Sequence, residues 1–426
     1  MDPSQSLRVT HIARSHVDAA RLQQLVAAAY VDVEADPASH AFSTEEYDRR
    51  RLALRDRARA AGLDLILVSS PDAMCWLHGY QSRWYRAQSS TRWPPLQCTV
   101  LHVDSGDYAV YDVAHHRHLL HRTSVATDVV LSRGDDGDAV LRLIIDDLTA
   151  RGWLGGIVGM EFHSHVPNRA TSEVVEAALT AAGCRVVDAS AVTRSVRLVK
   201  SPAEIAMIER AAAVCDTGLR ALQAEVRAGM TEKQAWGIMV SAMAAAGGEP
   251  AALHESVVVG PIELGHAYAS DRVIRRGDVL CADPCGVVHR YHANIERWFV
   301  VGQDPTDELY RLAEIEAAAF AILRGRAAAG VRVDDVTSEI EQLLQDNGLW
   351  GLHNWNGGYE LGLSFPPDWV GEWTFTVGEP SDDVFRSGVV TNYESIVLYP
   401  MIDTVIFGEH GARTLSSLPL DVLRAG

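Results

Sequence analysis

At Lys200-Ser201-Pro202 the hydrophobic rhythm of this 426-residue chain changes, and that change requires two differently built halves. Upstream, STEEYDRRRLALRDRARAAGLDLILVSS predicts a helix beginning at Ser43, closed by Gly62 and followed by a strand. Strand-like CTVLHV and YAVYDV, a helix-like DAVLRLIIDDLTARGW, and strands IVGMEF and CRVVDAS continue an α/β pattern. Downstream, Ser201 as cap and Pro202 in the first turn open AEIAMIERAAAVCDTGLRALQAEV, and a second helix covers TEKQAWGIMVSAMAAAGG. VLCADPCG, RWFVVG, VVTNYESIVLYP and DTVIFG then read as antiparallel strands, interrupted by the helices DELYRLAEIEAAAFAIL and DDVTSEIEQLLQDNGLW. The expected organisation is an arm over 1–40, an α/β domain over 41–197, and over 198–426 an α+β domain of helices packed on an antiparallel sheet.

Length supports two domains of comparable size, and 47% hydrophobic with 22% charged residues fits a globular chain. A formal net charge of −18 argues against nucleic acid or an anionic membrane as partner, since phosphate binding needs a basic face. A small, cationic substrate suits it better. The start MDPSQSLRVT has no basic and then apolar leader pattern, and no apolar run reaches membrane-spanning length, so the expectation is a cytoplasmic protein. Of the six cysteines only Cys281 and Cys285 are close, and C-x3-C without a second pair reads as free thiols rather than zinc ligands.

The chemistry concentrates in CADPCGVVHRYHANIERWF, residues 281–299, which reads as a strand entering a hairpin. Asp283, His289, His292, Asn294 and Glu296 fall within fourteen positions of apolar sequence, and buried carboxylates and imidazoles are tolerated only when paired, ligated or catalytic.

The order KSPAEI, two helices, RRGDVL, a strand with Asp, an Glu-Arg pair, Gly-x3-Gly, a strand with Glu and a late Gly-Glu resembles the pita-bread superfamily of proline-specific aminopeptidases, prolidases, creatinase and ectoine hydrolase. The resemblance spans almost the whole chain and implies a creatinase-like α/β N-terminal domain before a pita-bread catalytic domain, a curved antiparallel sheet covered by helices. Metallopeptidase members bind two metals through Asp, Asp, His, Glu and Glu. Here the first Asp matches Asp283, the second falls on Asn294, the His on Tyr359, the first Glu on Glu394, and the last Glu on Ile402, with Asp403 one position on. Neutral Asn, Tyr and Ile do not supply the field that two hard cations need, so no metal and no other cofactor is expected.

Creatinase, a metal-free member, looks similar at three positions: His266 eleven residues before Gly277-Asp278, Glu296 before Arg297, and Glu394 in the late strand. The segment GYELGLSFPPDWVGE, residues 358–372, and Arg290-Tyr291-His292 are similar to the ectoine hydrolase branch. This implies a metal-independent hydrolase of a non-peptide C–N bond in an amidine, guanidine or cyclic amidine. Two facing carboxylates, Glu296 and Glu394, would clamp a planar cation. His266 would move the proton from water to the leaving nitrogen. Asp283 would orient the water or another substrate N–H, with Asn294, Tyr359, Glu360 and Asp368 lining the pocket.

The stretch GYQSRWYRAQSSTRWPP, residues 79–95, is rich in arginine and aromatics. By resemblance to creatinase-like homodimers, Arg83, Trp84, Tyr85 and Arg86 would reach the active site of a second copy; as a plain alternative they would form only the dimer contact. His289 and His292 do not suggest zinc, since strand residues three apart point to opposite faces. His115, His116 and His118 read as a solvated helix start or turn. Two rival functions stand beside the hydrolase: a metal-dependent Xaa-Pro-type dipeptidase with a degenerate site, and a non-catalytic binding module.

Overall fold

The computed structural model describes residues 18–34, 38–83, 85, 96–133, 137–261, 263, 267–352 and 355–426. His266, Trp84 and Arg86 lie outside these. The segment expected as an arm carries a helix, α1 (Ala19–Glu34). The first half then runs α2 (Thr44–Ala60), β1 (Leu65–Val68), α3 (Pro71–His78), β2 (Cys98–His102), β3 (Tyr108–Val113), α4 (Arg117–Thr123), β4 (Val129–Ser132), α5 (Gly137–Arg151), β5 (Ile157–Met160), α6 (Arg169–Ala181), β6 (Arg185–Asp188) and α7 (Ser190–Arg197). Its strands form one mixed sheet in the order β4-β3-β2-β1-β5-β6. The leucine-rich β1 is buried along its whole length, as a central strand covered on both faces must be. His116, expected in solvent, is buried instead: its Nδ1 sits 2.9 Å from Asp112 near the end of β3, itself buried.

The second half comprises α8 (Pro202–Glu225), α9 (Glu232–Ala245), β7 (Ser256–Val259), β8 (Val279–Asp283), β9 (Cys285–Val288), β10 (Tyr291–Asn294), β11 (Arg297–Val301), α10 (Asp307–Arg326), α11 (Val333–Asp346), β12 (Trp355–Glu360), β13 (Trp373–Thr376), β14 (Val390–Ile396), β15 (Pro400–Gly408), β16 (Gly411–Thr414) and β17 (Leu423–Ala425). Ser201 and Glu204 close a full capping box on α8, and Thr231 with Gln234 does the same on α9. The strands form sheets β17-β11-β8-β7 and β13-β12-β14-β15-β16, with β9 and β10 as a separate hairpin.

Helix α8 lies directly on that hairpin. A Cβ on Gly286 would come within 2.0 Å of the Ala211 carbonyl oxygen, so glycine sets the distance of approach. The hairpin turns through His289 and Arg290, both left-handed at φ 49° and 65° without glycine. Glu249 stabilises that turn by accepting from both backbone N–H groups, at 2.8 and 3.1 Å.

A buried polar knot joins the halves. Arg50 on α2 donates to Glu46 at 3.0 Å, to the Trp76 carbonyl at 3.1 Å and to the Tyr291 hydroxyl at 3.1 Å. Glu204 on α8 accepts from Trp76 Nε1 at 3.0 Å and from Tyr291 at 2.9 Å. The Arg50 guanidinium also stacks 4.2 Å from the Phe42 ring. The cation thus sits between two buried carboxylates, its Nη2 2.9 Å from Glu46 and 3.8 Å from Glu204.

Candidate active site

Strand register builds the site. Gly357, Glu394 and Ile402 are direct cross-strand partners on β12, β14 and β15, and Ile402 bridges in turn to Glu296 through reciprocal backbone bonds of 3.1 and 3.3 Å. Direct partners project to the same face. Glu394 and Glu296 therefore rise on either side of an isoleucine floor, with backbones two strand spacings, about 10 Å, apart. One row along, Tyr359, Asn392 and Thr404 are partners on the same face. The Thr404 hydroxyl both donates to and accepts from the backbone of Asn294, at 2.9 Å each, fixing the end of β10 in this row.

A chain of hydrogen bonds crosses the face. Asn294 donates to Asp283 at 2.5 Å and accepts from Asn392 at 2.8 Å; Asn392 lies 2.7 Å from the Tyr359 hydroxyl and donates to Glu394 at 3.0 Å; Tyr359 donates to Glu394 at 2.7 Å. Glu296 stands apart: it is buried, and among the described residues no group hydrogen-bonds its carboxylate. Its neighbour Arg297 does not serve it, being engaged with Asp403 at 2.7 Å and with the Ile402 and Pro419 carbonyls.

Burial pushes Asp283 up to about 7, the Asn294 bond opposing this and the Glu394 and Glu255 charges adding to it. Burial raises Glu394 to about 6 against the Tyr359 and Asn392 bonds. Glu296 is held well above the ordinary carboxylate range, first by burial and then by the charges of Asp283 and Glu394. The face is thus a set of carboxyls that resist ionising together, which a bound cation would relieve.

The arrangement does not fit a dinuclear metal centre. Asn294 and Asp283 hydrogen-bond each other, Tyr359 presents a phenol held protonated by burial and the Glu394 charge, and the last ligand position is Ile402. Asp403 does not substitute, because Arg297 and the backbone N–H groups of Leu415 and Ser416 take its oxygens. Among the described residues no group of three His, Cys, Asp or Glu is disposed to hold an ion. His292 is likewise committed, accepting from Ala252 N–H at 3.1 Å with its other ring nitrogen 2.9 Å from the Arg290 carbonyl.

Other expected site residues fall elsewhere. Glu360 follows Tyr359 by one position and so points to the opposite face of β12, where Lys200 meets it at 2.5 Å. Burial works to raise its pKa, but Lys200, with Arg197 and Arg194, outweighs that and holds it below the usual range. It lines a separate cavity of about 260 Å³. Asp368 lines the same cavity and holds its own turn, accepting from the Trp369 and Val370 N–H groups at 2.7 and 3.0 Å. Tyr85 packs within its own chain, donating to the Pro366 carbonyl at 3.1 Å, while the exposed Arg83 gives its carbonyl to Gln97 at 2.8 Å.

Asn392 went unpredicted, although its place two residues before Glu394 puts it on the same strand face. Glu255 did too. It precedes Ser256, the register partner of Asp283, and accepts from Trp236 Nε1 at 3.3 Å.

The profile of the creatinase/prolidase N-terminal domain matches residues 50–199, and that of metallopeptidase family M24 matches residues 206–414. The chain is 25% identical over 415 residues to the ectoine hydrolase of Halomonas elongata, covering 89% of this chain and 97% of that protein. It is 26% identical over 239 residues to the Xaa-Pro dipeptidase of Pyrococcus horikoshii, a match that takes in 54% of this chain and 66% of the dipeptidase. Among solved structures, the X-Pro aminopeptidase of Thermotoga maritima superposes with a TM-score of 0.72 at 18% identity, over 88% of this chain and 99% of that one. The prolidase of P. horikoshii gives 0.70 at 20% identity, over 87% and 99%. The two profiles in tandem, the end-to-end match to ectoine hydrolase and the shared fold make this chain a member of the pita-bread superfamily of hydrolases that includes creatinase, prolidase and aminopeptidase P.

Proposed function

We propose that the protein is a metal-independent hydrolase of a non-peptide C–N bond in a small cationic metabolite, an amidine, guanidine or cyclic amidine. The observation that carries this is the placement of Glu296 and Glu394 on either side of Ile402, with the Asn294 amide, at a metal-ligand position, hydrogen-bonded to Asp283 and Asn392. A planar cation set between the carboxyls satisfies both and draws Glu296 into its ionised form. Water adds to the central carbon, the C–N bond breaks, and the proton lost by the water ends on the departing nitrogen. His266, whose role rests on sequence spacing, carries that proton; Asp283, poised to about 7, orients the water. The end-to-end likeness to the Halomonas ectoine hydrolase supports this chemistry. The reading includes a cytoplasmic homodimer in which the loop holding Arg83 and Arg86 meets the second copy.

The test is chelator-treated protein incubated with amidines, guanidines and ectoine, products followed by proton NMR. Turnover of one of these without added metal is expected. Cleavage confined to Xaa-Pro dipeptides and dependent on added divalent ion would overturn the proposal. That outcome would establish the dipeptidase reading, which the Pyrococcus relative favours. Binding of a ligand or partner with no turnover of either substrate class would leave a non-catalytic module.

A further inference from the structure

Beside Glu394 the sheet carries an aromatic strip that the hydrolytic reading does not use. Alternation along β12 puts Trp355, Gly357 and Tyr359 on the face that bears Glu394 and Asn392, and Gly357 is the direct partner of Glu394. A Cβ at Gly357 would meet the Trp355 ring at 2.5 Å, so the missing side chain lets this indole lie flat over the position next to the carboxylate. Trp373, the β13 partner of Tyr359, extends the strip: its ring centroid is 5.2 Å from Trp355 and 5.7 Å from Tyr359. Tyr359 in turn donates to Glu394. Trp373 is 66% exposed and Trp355 only half-buried, so both indoles keep open surface.

Elsewhere in the molecule arginines cover aromatic rings, as Arg50 covers Phe42 and Arg290 covers Phe365, but among the described residues no arginine or lysine stacks on Trp355 or Trp373. Electron-rich faces next to an ionisable carboxylate, with Glu296, whose carboxylate no group hydrogen-bonds among the described residues, across the floor, favour a cation whose charge is spread over a plane. We infer that Trp355 and Trp373 form the wall that binds the charged plane of the substrate, selecting an amidinium or guanidinium over a primary ammonium. The inference deepens the proposed function and rests on the same site, but it concerns binding and is read without turnover.

Calorimetric titration with acetamidinium and with methylammonium, on the full chain and on W373L, W355L and E394Q, tests it. The wild-type protein is expected to prefer acetamidinium. W373L and W355L, shown by circular dichroism to be folded, should each lose about five- to tenfold in acetamidinium affinity while methylammonium changes little. W373F should recover most of the loss. E394Q should weaken both cations alike. Unchanged acetamidinium affinity in W373L and W355L, or equal losses for both cations, would overturn the wall. Selective binding without hydrolysis of any amidine would keep the wall and remove the proposed reaction; metal-free hydrolysis with no dependence on either tryptophan would do the reverse.

Discussion

Asn294 donates to the Asp283 carboxylate at 2.5 Å and accepts from Asn392 at 2.8 Å, so an amide bonds directly to Asp283 where a dinuclear centre would set a second carboxylate. Asn294→Asp replaces the donor with a second carboxylate against Asp283. It should destabilise the fold by about 2 kcal/mol at pH 8, and by much less at pH 5, where the pair shares a proton. Urea denaturation at the two pH values measures this; an equal cost at both would contradict it.

Burial, with the charges of Asp283, Glu394 and Glu316, holds the pKa of Glu296 well up and so favours its neutral form. Glu296→Gln keeps the shape of that neutral group and removes the cost of ionising it. The melting temperature at pH 8 should stay level or rise while turnover falls about 100-fold, a split expected of a residue that stabilises developing charge rather than the fold. Glu394→Gln should lose turnover to a similar degree. A loss of both stability and activity in Glu296→Gln would mark a structural role.

The raised pKa values have a definite sign. Asp283 and Glu394 bind a proton more tightly when folded, so their contribution to stability is complete below about pH 4, the ordinary carboxylate value, and is lost as pH rises through about 6 and 7. Between those limits the stability of the wild type should decline more steeply than that of Asp283→Asn. A bound amidinium should reverse the trend, its affinity climbing over the same interval as protons are released. Parallel pH profiles for wild type and Asp283→Asn would refute the assignment.

The knot between the halves should behave as a buried charge cluster. Arg50→Ala removes the only cation paired with Glu204 among the described residues and leaves Glu46 with Arg49 alone; it should cost about 3–5 kcal/mol, whereas a like-sized change at the exposed Arg169–Glu173 pair should cost less than about 1 kcal/mol. Denaturant melts of the two variants decide between them.

Much of this molecule can be read from local sequence because its helices begin on side-chain signals: Ser43, Ser201 and Thr231 stand at N-caps, and the last two close capping boxes. The residues 281–299 declare themselves because polar groups are costly in apolar strands. What the chain order alone does not reveal is pairing between strands. Glu360 looks like a neighbour of Tyr359 until alternation sends it to Lys200, and Asp403 looks like a spare ligand until register shows Ile402 opposite Glu394. Asn392 and Glu255 act through partners 98 residues distant in one case and across a β ladder in the other. Tyr85 contacts its own Pro366 through a fold-back of 281 residues, which no local pattern encodes.

The most direct test of the central claim is the metal content of the purified, chelator-treated protein by plasma mass spectrometry, paired with its C–N hydrolase activity. The account predicts less than about one tenth of an ion per chain with activity intact, since open-site metal chemistry needs near-stoichiometric metal. A near-stoichiometric transition metal, with activity lost on its removal and restored by its return, would contradict it.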